Sequence, residues 1–149
     1  LISYTDWIIG GVSDFENCFN LQVNREEPFE ETCRKVKSKF NNIKYIAKTI
    51  REVSDGSVNR LMGVSWNGEK LLQSKFYTLA ETVDRIGTGD AFMAGLVYGA
   101  LHKKSDKEII EFATSAAVLK HTIPGDVLCA KIQEIEDIAT NNNIGKLLR

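Results

Sequence analysis

The chain has 149 residues, 43% of them hydrophobic and 26% charged, with a formal net charge of −1 and a pI near 6.2. That length supports one domain with a real core, and the apolar share is ordinary for a soluble globular protein. Basic residues are scattered among acidic ones, which excludes the basic footprint of a nucleic-acid binder, and no apolar run is long enough to span a membrane as a helix.

The chain opens Leu1-Ile2-Ser3-Tyr4-Thr5-Asp6, without Met, and passes at once into Trp7-Ile8-Ile9; a segment cut from a longer protein is expected. Trp7–Ile9 followed by Gly10-Gly11 predicts a short buried strand and a turn. Ser13 with Glu16 three residues on fits a capping box, so a helix is expected to start there. Phe29 to Phe40 is charged, with periodic Phe29, Cys33, Val36 and Phe40, and predicts an amphipathic helix. Tyr45 to Ile50 reads as a second strand. Leu61–Trp66 and Lys70–Tyr77 flank Asn67-Gly68, a hairpin signal, because this pair tolerates the positive φ angles of a type I′ turn.

Gly89 to Leu101 is apolar nearly all round and predicts a buried helix, packing closely through Ala91, Ala94 and Gly95. Ser105 with Glu108 is another capping box, opening a helix to about Lys120. Pro124-Gly125 marks a turn, and Ile132, Ile135 and Ile138 predict one more short helix. Helices alternating with strands around a central hairpin indicate an α/β domain over residues 1–149, with a largely parallel sheet and some antiparallel pairing.

Cys18, Cys33 and Cys129 form no C-x-x-C pair, and an odd, sparse count suits a reducing cytoplasm. His102 and His121 are the only histidines, which excludes a multi-histidine metal site; both are expected at surfaces or turns.

The stretch richest in chemistry is Val83-Asp84-Arg85-Ile86-Gly87-Thr88-Gly89-Asp90-Ala91-Phe92. A glycine-rich turn at a helix start gathers unpaired N–H groups, which bind phosphate oxygens together with the positive end of the helix dipole. Glycine lets backbone approach a phosphate closely. An aspartate there can take a proton from a substrate hydroxyl while neighbouring donors steady the phosphoryl group in transfer. The same pattern also occurs as a plain turn with an Asp cap. A dinucleotide fingerprint is excluded because its third glycine position is Phe92, and no G-K-[ST] string, G-x-S-x-G elbow or H-E-x-x-H helix occurs.

Asp84 to Phe92 closely resembles the second signature, D-x-x-G-x-G-D, of the ribokinase/PfkB carbohydrate kinases. Ala94-Gly95 and Lys120-His121-Thr122-Ile123-Pro124-Gly125-Asp126 extend the likeness, which most resembles 2-keto-3-deoxygluconate kinases. The resemblance covers Trp7 to about Ile138. It implies a ribokinase-like three-layer α/β/α fold, present here as its C-terminal half, a mainly parallel sheet with a β-hairpin, and ATP-dependent phosphorylation of a sugar or sugar acid.

By the same resemblance, Asp90 matches the catalytic base, and Gly87, Thr88, Gly89 and the Asp90 backbone match the anion hole. Asp84 matches the first acid, near a monovalent-cation site, and Thr114 stands where relatives place an Asn near adenine. Arg51 lies at a strand end beside the phosphates, either facing them or on the surface. The implied cofactors are ATP and Mg2+, with K+ at the cation site; the implied partner is a sugar acid, and a homo-oligomer would form through the missing N-terminal half. Where the family carries Asn-x-x-Glu after the first strand, this chain has Gly11 and Asp14. Asp14 then becomes the expected metal-site acid, without the amide beside it. Two alternatives remain open: a non-catalytic nucleotide-binding module, or a kinase of this family for another sugar or a nucleoside.

Overall fold

The computed structural model describes residues 1–24, 26–53, 59–79 and 82–140. A short 3-10 turn (Ile2–Tyr4) is followed by β1 (Trp7–Ile9), α1 (Val12–Phe19), α2 (Phe29–Lys39), β2 (Tyr45–Val53), β3 (Asn59–Trp66), β4 (Leu71–Gln73), β5 (Tyr77–Leu79), α3 (Thr88–Leu101), α4 (Asp106–Lys120) and α5 (Ile132–Thr140). The α/β class matches the sequence reading. The sheet runs in the order β1-β2-β3-β4, with β5 also paired to β3. β1 is parallel to β2, with Ile8 opposite Ile46, and β5 is antiparallel to β3, with Leu61 opposite Tyr77. The antiparallel β3–β5 pair is the antiparallel pairing that the sequence reading expected beside parallel strands. The chain divides into two compact units, Leu1–Lys48 with Val64–Leu72, and Thr49–Gly63 with the chain from Gln73 onward.

In the first unit, α1 starts earlier than the Ser13–Glu16 pair implied. Gly11 is its N-cap, and the Asp14 carboxylate accepts the Gly11 N–H at 2.7 Å. Asp14, at the third helical position, closes a capping box on Gly11 in place of the one expected between Glu16 and Ser13. α2 buries Phe29, Thr32, Cys33 and Val36, with acids in its first turn and lysines in its last, as the helix dipole favours. Trp7 stacks on its strand partner Tyr45 with ring centroids 4.3 Å apart. The Asn67-Gly68 turn is not type I′. Gly68 has φ +97° but Asn67 does not have positive φ; its side-chain oxygen instead accepts the N–H groups of Glu69 and Lys70 at 3.1 and 3.0 Å. That local bond closes a wider loop.

In the second unit, the expected second hairpin strand is broken in two. The Ser74 hydroxyl accepts the Gly63 N–H at 2.9 Å and donates to the Lys75 carbonyl at 2.8 Å, ending β4 before β5 pairs with the Asn59 end of β3. α4 packs on α3, α5 and β5. The α3–α4 approach depends on glycines: a Cβ on Gly95 would lie 2.6 Å from Ala113 Cα, and one on Gly99 would lie 2.9 Å from Ile109 Cγ1. The Ser105–Glu108 capping box is present, with the Glu108 carboxylate accepting the Ser105 N–H at 2.8 Å. α3 is not buried all round. Phe92 and Leu96 are fully buried, but Met93, Val97 and Leu101 are 39%, 43% and 75% exposed. Their spacing of four puts them in one stripe, the face opposite the α4 contact. Ala94 is exposed as well, so Gly95 and Gly99 make the close packing that Ala94 was expected to share.

Candidate active site

The signature turn is built around two constraints. Gly87, the N-cap of α3, has φ +77°, and a Cβ there would run into the Asp126 carbonyl. Only glycine satisfies both the left-handed backbone and that approach. Asp84 supplies the second constraint. One carboxylate oxygen accepts the Ile86 N–H and the other the Gly125 N–H, each at 3.0 Å. The acid thus joins the signature turn to the Pro124–Gly125 turn. Those donors, first Ile86 and then Gly125, hold the Asp84 carboxyl below the usual carboxylate range.

Thr88 closes the turn inward: its hydroxyl donates to the Arg85 carbonyl at 2.9 Å, and its N–H reaches the same oxygen at 3.3 Å. The first bond of the helix runs from the Ala91 N–H to the Gly87 carbonyl at 2.9 Å. The N–H groups of Gly89 and Asp90 find no backbone acceptor among the described residues. Gly89 differs from Gly87, because a Cβ there would meet nothing within 4 Å. The chain's own packing therefore does not require a glycine at 89. The Asp90 side chain is exposed and makes no hydrogen bond or ion pair with the described residues.

Of the cations near this turn, the resemblance gave a role to Arg51 but none to Arg85, Lys120 or His121. His121 lies in the turn after α4, as the turn reading expected, but is buried there. Its carbonyl accepts the N–H groups of Val83 at 2.8 Å and Asp84 at 3.3 Å, and its ring Nδ1 lies 2.7 Å from the Ala117 carbonyl. A carbonyl can only accept, so Nδ1 carries the proton in that bond. Burial lowers the His121 pKa, and the nearby charges of Arg51, Arg85 and Lys120 add to the effect. Lys120 is fully buried and donates its ammonium to the Ile123 carbonyl at 2.8 Å. Arg51 belongs to the same neighbourhood. Its Nε is buried without a hydrogen-bond partner, and desolvation together with the Arg85 charge lowers its pKa. The sequence signal for this cluster was Lys120-His121 at the end of α4, quoted for its likeness but not read for its charge.

The remaining expected site residues lie elsewhere. Thr114 is fully buried, donates its hydroxyl to the Ile110 carbonyl at 2.7 Å and packs where Gly63 leaves room for it. In this structure it exposes no surface. Asp14 belongs to the other compact unit, where it caps α1. Among the described residues no group of three or more His, Cys, Asp or Glu is placed to hold a metal ion, and no helix is long and apolar enough to cross a membrane.

Comparison with known proteins agrees with this geometry. Residues 1–133 match the family model described as pfkB family carbohydrate kinase. The crystal structure of 2-dehydro-3-deoxygluconokinase from Thermotoga maritima superimposes with a TM-score of 0.83 at 32% identity, covering 94% of this chain and 43% of that one. A putative 2-keto-3-deoxygluconate kinase from Enterococcus faecalis gives 0.83 at 28% identity, covering 96% and 42% of the two chains. A PfkB family carbohydrate kinase from Listeria grayi gives 0.82 at 30%, covering 95% and 43%. The chain thus spans less than half the length of these relatives. No curated protein matches it by the same kind of search. Since the family model covers residues 1–133, this chain belongs to the pfkB family of carbohydrate kinases.

Proposed function

We propose that the chain carries the phosphate-binding and catalytic part of a kinase that phosphorylates 2-keto-3-deoxygluconate at its 6-hydroxyl, using ATP. The observation that carries this reading is the exposed, unpaired Asp90 carboxylate beside two unsatisfied N–H groups and the free space at Gly89. Asp90 removes the proton from the primary hydroxyl as its oxygen bonds to the terminal phosphorus of ATP. The bond from that phosphorus to the ADP oxygen breaks, and the negative charge leaves on ADP. The Gly89 and Asp90 N–H groups face the oxygens of the transferring group, where charge gathers. The sugar-acid assignment follows the Thermotoga and Enterococcus relatives named above.

The free donors, the helix N-terminus and the cations around His121 suit a polyphosphate anion. Mg2+ bound with the nucleotide supplies charge neutralisation at the phosphates and keeps most of its other ligands as water. Asp14 is the family-matched acid for that ion; here one of its oxygens is already held by the Gly11 N–H. A K+ site at Asp84 rests on the resemblance, and both Asp84 oxygens already carry an N–H partner.

The test is steady-state phosphorylation of 2-keto-3-deoxygluconate by wild type and Asp90→Asn. Turnover falls about 10²–10⁴-fold while nucleotide affinity holds; unchanged turnover rejects Asp90 as the base. A second reading, a nucleotide-binding module without transfer, is favoured by Gly11 at the family's Asn position. Nucleotide binding with no product at saturating sugar supports it. A panel of other sugars and nucleosides tests the substrate assignment in the same assay.

A further inference from the structure

The segment that follows α4 is fastened to the signature turn at three points. The His121 carbonyl accepts the N–H groups of Val83 and Asp84 at 2.8 and 3.3 Å. The Gly125 N–H donates to Asp84 Oδ2 at 3.0 Å. The Asp126 carbonyl lies so close to Gly87 that a Cβ there would run into it. Whatever shapes residues 121–126 therefore shapes the Gly87 N-cap of α3, and with it the first helical turn that carries Asp90.

Lys120 is the charged group at the root of this segment. It is the last residue of α4, is fully buried, and folds its ammonium forward onto the Ile123 carbonyl at 2.8 Å. A lysine is rarely buried in full, because an ammonium out of water costs free energy that only bonded or charged partners offset. The place suits one. A helix C-terminus is the negative end of the dipole, and the acid Asp84 is bonded to the same segment two residues beyond Ile123. The Ile86 and Gly125 N–H groups act most strongly on the Asp84 carboxyl, and the Lys120 charge adds to them in favouring its ionised form. The resemblance placed K+ beside Asp84, and the residues present do not fit that ion. Each Asp84 oxygen is taken by an N–H group, and a tethered positive charge already stands in the segment to which Asp84 is bonded. A second cation there would be repelled by the first.

We propose that the buried Lys120 ammonium is a built-in counter-ion for the two joined turns, holding the phosphate turn in shape without an exchangeable monovalent cation. The inference rests on the kinase reading for what that turn does, and it sets aside the K+ that the resemblance implied. Lys120 is a positioning residue, whose effect reaches Gly87 and Asp90 through the Ile123–Gly125 segment and the Asp84 bond.

The experiment compares the whole chain in KCl, NH4Cl and choline chloride at equal ionic strength. It reads melting temperature and the calorimetric affinity for a non-hydrolysable Mg·ATP analogue. Wild type gives the same two values in all three salts. Stabilisation or tightening of wild type that is selective for K+ over choline overturns the proposal, because an exchangeable ion then fills the role assigned to Lys120. Lys120→Met removes the charge at similar length, and Lys120→Gln keeps an N–H donor for Ile123. In choline both variants melt about 5 °C or more below wild type and bind the analogue about tenfold more weakly. K+ or NH4+ restores part of both losses, and the bulkier choline does not. A lysine with a merely structural role predicts a loss that no small cation restores, and that result in a folded variant overturns the proposal. So does a Lys120→Gln chain that matches wild type in choline, since the hydrogen bond alone would then suffice. If neither variant folds in any salt, the wild-type comparison alone decides. Melting needs no nucleotide, so a wild-type chain that binds no analogue rejects the nucleotide site while the salt series still decides the role of Lys120.

Discussion

Gly87 and Gly89 are two residues apart in one motif, yet they are glycine for different reasons. Gly87 is required by the fold, through its positive φ and the Asp126 carbonyl against its Cα. Gly89 sits in ordinary helical backbone with open space where a Cβ would stand. The two substitutions to alanine should therefore separate stability from binding. Gly87→Ala is expected to destabilise the chain by about 2–5 kcal/mol, the sum of left-handed strain and a backbone clash. Gly89→Ala is expected to leave stability level or raise it by up to about 1 kcal/mol, since alanine favours a helix over glycine. It should nonetheless weaken binding of the Mg·ATP analogue. Chemical denaturation and calorimetry on the same two variants check both halves. A Gly89→Ala chain that binds normally would mean the space is not used.

The motif itself was legible from the sequence because its chemistry is local. A glycine turn, a helix start and an acid at the first turn are set by residues within seven positions of one another. The cation cluster was not legible. Arg51, Arg85 and His121 come from a strand end, the signature turn and the residue after α4, and chain folding alone brings them together. The burial of Thr114 was not legible for a related reason: its position on α4 was right, but which way α4 turns its hydroxyl is decided by the Ile110 carbonyl and the gap at Gly63.

At the scale of elements, α3 and α4 are held together by the absence of side chains. Gly95 and Gly99 let the α4 backbone approach at Ala113 and Ile109. Gly95→Leu must push the helices apart or force off-rotamer packing, at a cost of about 1–3 kcal/mol or more. Since α3 carries Asp90 at its first turn, the same change should lower turnover while the motif stays intact. Melting temperature and turnover measured together test this; a stable variant with full turnover would show that the helix contact does not position the site. The helix boundaries were legible wherever a cap was local and unambiguous, as at Ser105 with Glu108. They were misread where two caps competed, as at Gly11–Asp14 against Ser13–Glu16. Likewise, apolar composition predicted that α3 is buried. Composition does not say how many faces find a partner, and Met93, Val97 and Leu101 do not.

At the scale of the whole molecule, protonation links the site to stability. Burial and neighbouring cations lower the His121 pKa from its ordinary value of about 6.5. Above that value His121 is neutral folded or unfolded, and its contribution is complete. As pH falls below it, the unfolded chain binds a proton that the folded chain resists, so stability drops through that window. Melting temperature should fall more between pH 7.5 and 5.5 in wild type than in His121→Gln. Parallel falls would show that His121 does not carry the dependence. Binding of a phosphate anion should reduce the wild-type loss, because negative charge near His121 offsets the surrounding cations.

The sequence by itself determined the α/β class, most elements, and a signature turn whose glycines and acid belong to the pfkB carbohydrate kinases. These follow from short-range physics: periodicity, capping and the conformational limits of a few residues. Only the tertiary structure decided the pairing of β3 with β5, the open stripe on α3, the burial of Thr114 and His121, and the buried Arg51 Nε without a hydrogen-bond partner. Each of those depends on which distant residues are brought into contact. Burial, charge balance and free space are properties of that arrangement and not of the residues taken one at a time.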